Sequence, residues 1–233
     1  MTNHCAVRVA VIGGGASGIV AAIAAGRKGA DVTILEKNQR IGRKILATGN
    51  GRCNLTNLDL SISNFHGRNP KFAFAVLSRF DLEETIEFFE QLGVSHKVEE
   101  GGKVFPVSNQ ASSVLDVLRY ELEEIGVKIL CDSEVVEIKE KKAEFKIYLG
   151  GGRTFHADRV IIATGGRAAP HFGSNGSGYA LAKNLGHAIV EPFPALVQLK
   201  LAARFLRQIQ GIKFESGAEL IVGDRSVQAA SGE

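Results

Sequence analysis

The chain has 233 residues, of which 45% are hydrophobic and 23% charged, with a formal net charge of +3. That composition buries a full core in one or two domains, and so mild a charge points to no nucleic-acid partner. Nothing approaches the ~18 uninterrupted apolar residues of a membrane span, so the expected protein is soluble and cytoplasmic, with no membrane partner and an oligomeric state that composition leaves open. Cys5, Cys53 and Cys131 are scattered without C-x-x-C spacing, which argues against a disulfide framework and a zinc site. His66, His96, His156, His171 and His187 are too dispersed for a metal cluster, and no metal ligand is assigned.

In chain order, Ala6 to Ile12 reads as a buried strand. Gly13-Gly14-Gly15-Ala16-Ser17-Gly18 follows as G-x-G-x-x-G and leads into a helix carrying Ile19, Val20, Ala21 and Ile23. Gly13 permits the tight turn, Gly15 lets a pyrophosphate approach the backbone, and Gly18 lets the helix lie close on the strand. The helix start offers free N–H groups and partial positive charge to phosphates. A second strand, Asp31 to Leu35, ends at Glu36, about 20 residues on, where a carboxylate accepts hydrogen bonds from an adenosine ribose. Together these elements predict a dinucleotide site.

The run Gly42 to Asn57 is dense in glycine and asparagine, which predicts a backbone held in turns with Arg43, Lys44 and Arg52 able to face phosphates or an anionic ring. Cys53 lies in this loop, where the alternatives are a redox-sensitive thiol and a structural one, and the structural role is expected. Asp81 with Glu84 predicts a capped helix carrying Leu82, Ile86, Phe89 and Leu92, stopped by Gly93. A second helix, from about Gln110 to Ile125, presents Val114, Leu115, Leu118, Leu122 and Ile125; both stripes are expected to be core rather than site. Glu134 to Ile138 and Ala143 to Leu149 alternate as two strands joined at a solvated tip, Lys139 to Lys142. Gly150 to Gly152 then turns into Arg153 to His156. Arg159 to Ala163 is a further strand, and Thr164-Gly165-Gly166 closes it with residues too small to obstruct a ligand, as suits a cofactor crossing the carboxyl edge of a parallel sheet.

Gly173 to Gly178 has the order G-x-x-G-x-G and no strand before it, so one dinucleotide site is expected, with His171 a weaker candidate nearby. Any NAD(P)H must then reach the bound cofactor transiently, or another reductant serves. Residues 192–233 read as the start of a second domain, with Pro192 to Lys200 and Phe214 to Val222 as strand-rich segments and Val227 to Glu233 stopping without a closing element.

The glycine motif joined to Gly42–Asn57 resembles the HI0933-like (BaiN- or RdsA-type) NAD(P)/FAD-dependent oxidoreductases. The resemblance continues through Gly102–Pro106, Ala157–Gly166, Gly173–Tyr179 and Pro192–Val197, essentially the whole chain. It implies an α/β, Rossmann-like fold with a β-rich insertion, and FAD in the Gly13 pocket. Residues 1–191 would be the FAD domain and 192–233 the opening of an inserted substrate or lid domain, the chain being truncated before a returning segment. The implied cofactor-binding residues are Gly13, Gly14, Gly15, Ala16, Ser17, Gly18, Glu36, Lys37, Arg43, Lys44, Thr48, Gly49, Asn50, Gly51, Val135, Ala163, Thr164 and Gly165, with Glu36 on the ribose and Val135 on the adenine. The expected activity is hydride exchange between the flavin and an unidentified small organic substrate, with no catalytic residue assigned. A non-catalytic FAD-binding fragment and a flavin-dependent RNA-modifying enzyme are the alternatives.

Overall fold

The computed structural model describes residues 6–196, 200, 202–212 and 214–232, so Cys5, Val197 and Glu233 lie outside the described residues. The chain divides into two compact units, Met1–Pro192 and Phe193–Glu233.

The first unit opens with β1 (Arg8–Ile12), α1 (Ala16–Arg27) and β2 (Asp31–Leu35), followed by the short strand β3 (Thr56–Asn57). Helices α2 (Lys71–Leu77) and α3 (Leu82–Gln91) precede β4 (His96–Val98) and β5 (Lys103–Pro106). Then come α4 (Ala111–Glu124), β6 (Lys128–Leu130), β7 (Val135–Lys141), β8 (Glu144–Leu149), β9 (Thr154–Ala157), β10 (Arg159–Ile162) and α5 (Ser177–Asn184). The second unit holds the hairpin β11 (Ser216–Val222) and β12 (Arg225–Gly232).

A parallel sheet in the order β10-β1-β2-β6 forms the centre of the first unit. Val9 to Ile12 are apolar without alternation because β1 is covered on both faces. One face packs Val9 and Val11 against Ile19, Ala22 and Ile23 of α1 and Val114, Leu115, Leu118 and Leu122 of α4. The other sets Ala10, Ile12 and Leu35 against Val135, Ile138, Ile147, Leu149 and Ala157 of the antiparallel sheet β7-β8-β9. Helices, parallel sheet and antiparallel sheet thus make three layers. The segment after the basic loop adds the small sheet β3-β5-β4.

Local signals formed the expected elements where they were strong. Asp81 accepts from Glu84 N at 3.1 Å while Glu84 bonds back to Asp81 N at 2.8 Å, a complete capping box. Gly93 follows at φ +84°. In the hairpin the tip is shorter than predicted: Lys139 to Lys141 remain paired in β7 and the chain reverses at Lys142, at φ +58°. The cross-strand pairing of Lys141 with Glu144 favours this extension.

The expectations for the last forty residues are corrected where residues are described. In the segment Pro192 to Lys200, Pro192 to Leu196 and Lys200 form no strand, and Val197, Gln198 and Leu199 lie outside the described residues. Val227 onward does have a pairing partner, since β12 runs antiparallel to β11 from Ser216↔Gly232 to Val222↔Arg225. The two-residue link Gly223-Asp224, with Gly223 at φ +63°, is a hairpin signal that the strand-by-strand reading passed over.

An ion-pair cluster ties the layers together. Arg8 donates to Asp158 at 2.6 Å and to Glu144 at 2.8 Å, and the Arg8 backbone N–H also donates to Asp158 at 2.9 Å. The Arg8 hydrogen bonds hold the Asp158 carboxyl down to about 2. A carboxyl depressed in the folded state contributes stability above its unfolded value of about 3.9, and that contribution is lost as pH falls through the folded one. Asp158→Asn should therefore lower the melting temperature at neutral pH, with the gap to the parent protein closing between about pH 4 and pH 2. A gap that persists unchanged at the acid end would remove the ionic origin.

Candidate functional site

The carboxyl ends of β1, β2 and β10 open onto a cleft of about 430 Å³, within the range of small-ligand sites. The glycine turn forms one wall. Gly13 sits at φ +104°, with Gly13 N–H bonded to Leu35 O at 2.9 Å, and a Cβ there would stand 2.6 Å from Ala163 O. A Cβ on Gly18 would collide with Gly13 O, so that glycine lets α1 close on its strand. Gly15 differs from both: its backbone is extended, at φ −83° and ψ −172°, and a Cβ there would meet nothing within 4 Å. Neither conformation nor packing demands glycine at 15, and its missing side chain opens directly onto the cleft. The first turn of α1 carries no acidic residue and presents its free N–H groups at the same place.

Glu36, at the end of β2, is buried at 6% exposure and anchors the adjacent loops. It accepts from Gly14 N at 2.7 Å and from Asn38 N at 2.8 Å. Gly42 N–H bonds to Gly14 O at 2.7 Å, which ties the basic loop to the glycine turn. Arg43 donates to Asn38 Oδ1 at 2.7 Å and to His171 O at 3.3 Å, and Lys44 donates to Ala168 O at 2.8 Å. In these bonds both cations meet neutral oxygens, which leaves their charge to attract an anion.

Of the residues named from sequence, Gly13, Gly14, Gly15, Ala16, Ser17, Glu36, Lys37, Arg43, Lys44, Thr48, Val135, Ala163, Thr164 and Gly165 line the cleft. Gly18, Gly49, Asn50 and Gly51 do not. Gly49, Asn50, Gly51 and Cys53 carry φ values of +54°, +56°, +83° and +64°, as the predicted run of turns requires. Arg52 faces away from phosphate duty, bonding Glu99 at 2.9 Å with its guanidinium 4.0 Å from the Phe105 ring centroid. His171 contributes its carbonyl to Arg43, while its neighbour Phe172 lines the cleft.

The helical stripes need correction, because Phe89, Val114 and Leu118 belong to the core and also line the cleft. Helical period identifies a buried face but cannot tell which part of that face borders a cavity. Asn54, within the run Gly42 to Asn57, lines it too, and Asn38, Arg40, Ser133, Ser174 and Ser177 also line it and were missed. For Ser174 and Ser177 the available signal was the 173–178 glycine loop, set aside for lacking a preceding strand; Gly178 lets α5 pack against Thr164 at the end of β10. Among the described residues no group of three or more His, Cys, Asp or Glu side chains could hold a metal ion, and no helix is long and apolar enough to cross a membrane.

Cys53 lines the cleft but is 8% exposed, and burial pushes its thiol pKa up. A protonated, covered thiol is a poor nucleophile. Iodoacetamide should modify Cys53 on the order of 100-fold more slowly in the folded protein than in urea, because reaction must wait for local opening. Equal rates by peptide mapping would show an accessible thiolate.

A glycine turn between a central parallel strand and its helix, with a buried acid closing the next strand, defines a Rossmann-type dinucleotide-binding domain. The model of the HI0933-like protein Rossmann domain matches residues 7–226, and the chain belongs to that family. The chain is 47% identical over 228 residues to the 3-dehydro-bile acid delta(4,6)-reductase of Clostridium scindens, covering 97% of this chain and 55% of that protein. It is 30% identical over 208 residues to the ribosomal RNA dihydrouridine synthase of Haemophilus influenzae, covering 87% of this chain and 51% of that protein. The chain thus spans about half the length of the curated relatives it matches. The fold is also similar to the open conformation of a flavocytochrome c3 fumarate reductase, with a TM-score of 0.53 and 18% identity over 80% of this chain and 42% of that one.

Proposed function

We propose that this chain is the FAD-binding part of an oxidoreductase that acts on a small organic molecule, with NAD(P)H as a transient reductant. The observation that carries the reading is Gly15, whose missing side chain leaves open the space a pyrophosphate needs, although no contact among the described residues requires glycine there. The residues present fit FAD. Backbone N–H groups at the start of α1 with Arg43 and Lys44 would hold the pyrophosphate, and Glu36, which accepts three hydrogen bonds within the protein, has one lone pair left on Oε2 for a ribose hydroxyl. Val135 and Leu35 would border the adenine, while Phe89, Val114 and Leu118 exclude water from the inner part of the cleft. FAD, when bound, supplies the hydride chemistry; the protein contributes binding, orientation and dryness.

The 47%-identical relative is a bile-acid reductase by name, which supports a reductive reaction on a small organic molecule. The rival reading, reduction of a base in ribosomal RNA, is supported by the 30%-identical relatives. A net charge of +3 gives the phosphate backbone little to meet, so the small-molecule reading is preferred.

The test is an FAD titration of the purified chain followed by anaerobic addition of NADH or NADPH while the flavin absorption is recorded. Tight, stoichiometric FAD binding is expected, as is bleaching by one of the two nucleotides that is reversed by an unsaturated ketone. Absence of FAD binding would refute the cofactor assignment. Reoxidation by ribosomal RNA with formation of a reduced base, and none by the ketone, would favour the rival.

A further inference from the structure

We infer that Asn38 is a positioning residue for dinucleotide binding, coupling the Glu36 carboxylate to the Arg43 guanidinium so that both are held at the cleft as one unit. The inference rests on the cofactor reading above. Asn38 follows β2 by three residues and bonds in both directions. Its N–H and Nδ2 donate to Glu36 Oε1 at 2.8 Å and 2.5 Å, and its Oδ1 accepts from Arg43 Nη1 at 2.7 Å. The other Glu36 oxygen accepts from Gly14 N, and the other Arg43 nitrogen donates to His171 O. One path of hydrogen bonds therefore runs from the glycine turn through Glu36, Asn38 and Arg43 to the 170–173 turn.

An amide is suited to this place because it donates to a carboxylate and accepts from a guanidinium at the same time. An aspartate could serve Arg43 but has no proton for Glu36, and an apolar side chain serves neither. The amide also stands between opposite charges, which keeps Arg43 for phosphate and Glu36 for ribose instead of spending each on the other. The site has little slack. Asp132 N–H donates to the Asn38 carbonyl at 3.2 Å, and a Cβ on Gly173 would stand 2.7 Å from Asn38 Nδ2. The charged and titratable side chains around Asn38 are Glu36, Lys37 and Arg40 on its own loop, Arg43 bonded to it, Asp132 with Cys131 beside it, and Arg153, which donates to the Asp132 carbonyl at 2.8 Å.

FAD titrations of the parent protein, Asn38→Ala, Asn38→Asp, Arg43→Ala and the Asn38→Ala/Arg43→Ala double variant test the inference. Asn38→Ala should weaken FAD binding on the order of 10- to 100-fold, and adding Arg43→Ala to it should cost much less than Arg43→Ala costs alone. Asn38→Asp keeps the volume but sets two carboxylates against each other. Its FAD affinity should fall as pH rises and the pair loses its shared proton, a slope that the parent protein lacks. Without ligand, the same variant should melt progressively lower as pH rises, a readout independent of cofactor that also serves if Asn38→Ala fails to fold. Additive losses in the cycle, or an Asn38→Asp variant matching the parent at every pH, would overturn the inference. Failure of the parent protein to bind FAD would instead refute the cofactor reading, with the ligand-free melting profile still deciding whether Asn38 and Glu36 are coupled.

Discussion

Gly15→Ala should abolish tight FAD binding while leaving the fold intact. The backbone at Gly15 is extended, and an added methyl touches no atom of the described residues within 4 Å, so the fold loses only the small N-cap advantage of glycine over alanine. The methyl instead enters the space that a pyrophosphate must share with the α1 N–H groups. The expected loss is on the order of 100-fold in Kd, about 2.8 kcal/mol, with an unchanged circular dichroism spectrum and a melting temperature lowered only slightly, because Gly15 is the N-cap of α1 and alanine caps less well. Gly18→Ala is the control, because its methyl would press on Gly13 O and should destabilise the protein whether or not cofactor is present. Retention of FAD by a well-folded Gly15→Ala variant would place the ligand elsewhere.

Glu36→Ala should weaken FAD binding by about 1 to 3 kcal/mol, the cost of leaving buried polar partners unpaired. The structure adds a second effect, since the same carboxylate accepts from Gly14 N and Asn38 N. The ligand-free protein should therefore also melt at a lower temperature. Comparing FAD with FMN separates the two roles: FMN lacks the adenosine half, so loss of a ribose contact weakens FAD alone, whereas distortion of the glycine turn weakens any ligand that reaches it. Undiminished FAD affinity in the variant would withdraw the ribose assignment.

Legibility followed the range of the interactions concerned. β2 was predicted at its observed bounds, Asp31–Leu35, and α3 began at its predicted cap because the capping box is a contact three residues long. The buried stripe of α4 was legible for the same reason, as Val114, Leu115, Leu118 and Leu122 share one face of a single helix. Strands β3, β4, β5 and β6 were missed, as were helices α2 and α5. The strands are two to four residues long, too short to show a period, and exist because of the strands beside them.

The sequence by itself determined the glycine turn, the strands on either side of α1 and the acid that closes the second, because these depend on periodicity and on backbone conformations that few residues adopt. It also marked Ala163 to Gly165 as small residues at a strand end. Only the tertiary structure decided that this strand end lies against the glycine turn, through parallel pairing of Val9 with Arg159 and Ile12 with Ile162 across some 150 residues of chain. Tertiary structure likewise set Asn38 between Glu36 and Arg43, turned Arg52 to Glu99, and brought the inner faces of α3 and α4 to the cleft. A side chain's partner across a sheet edge is set by the register of strands distant in sequence, and no local pattern encodes that register.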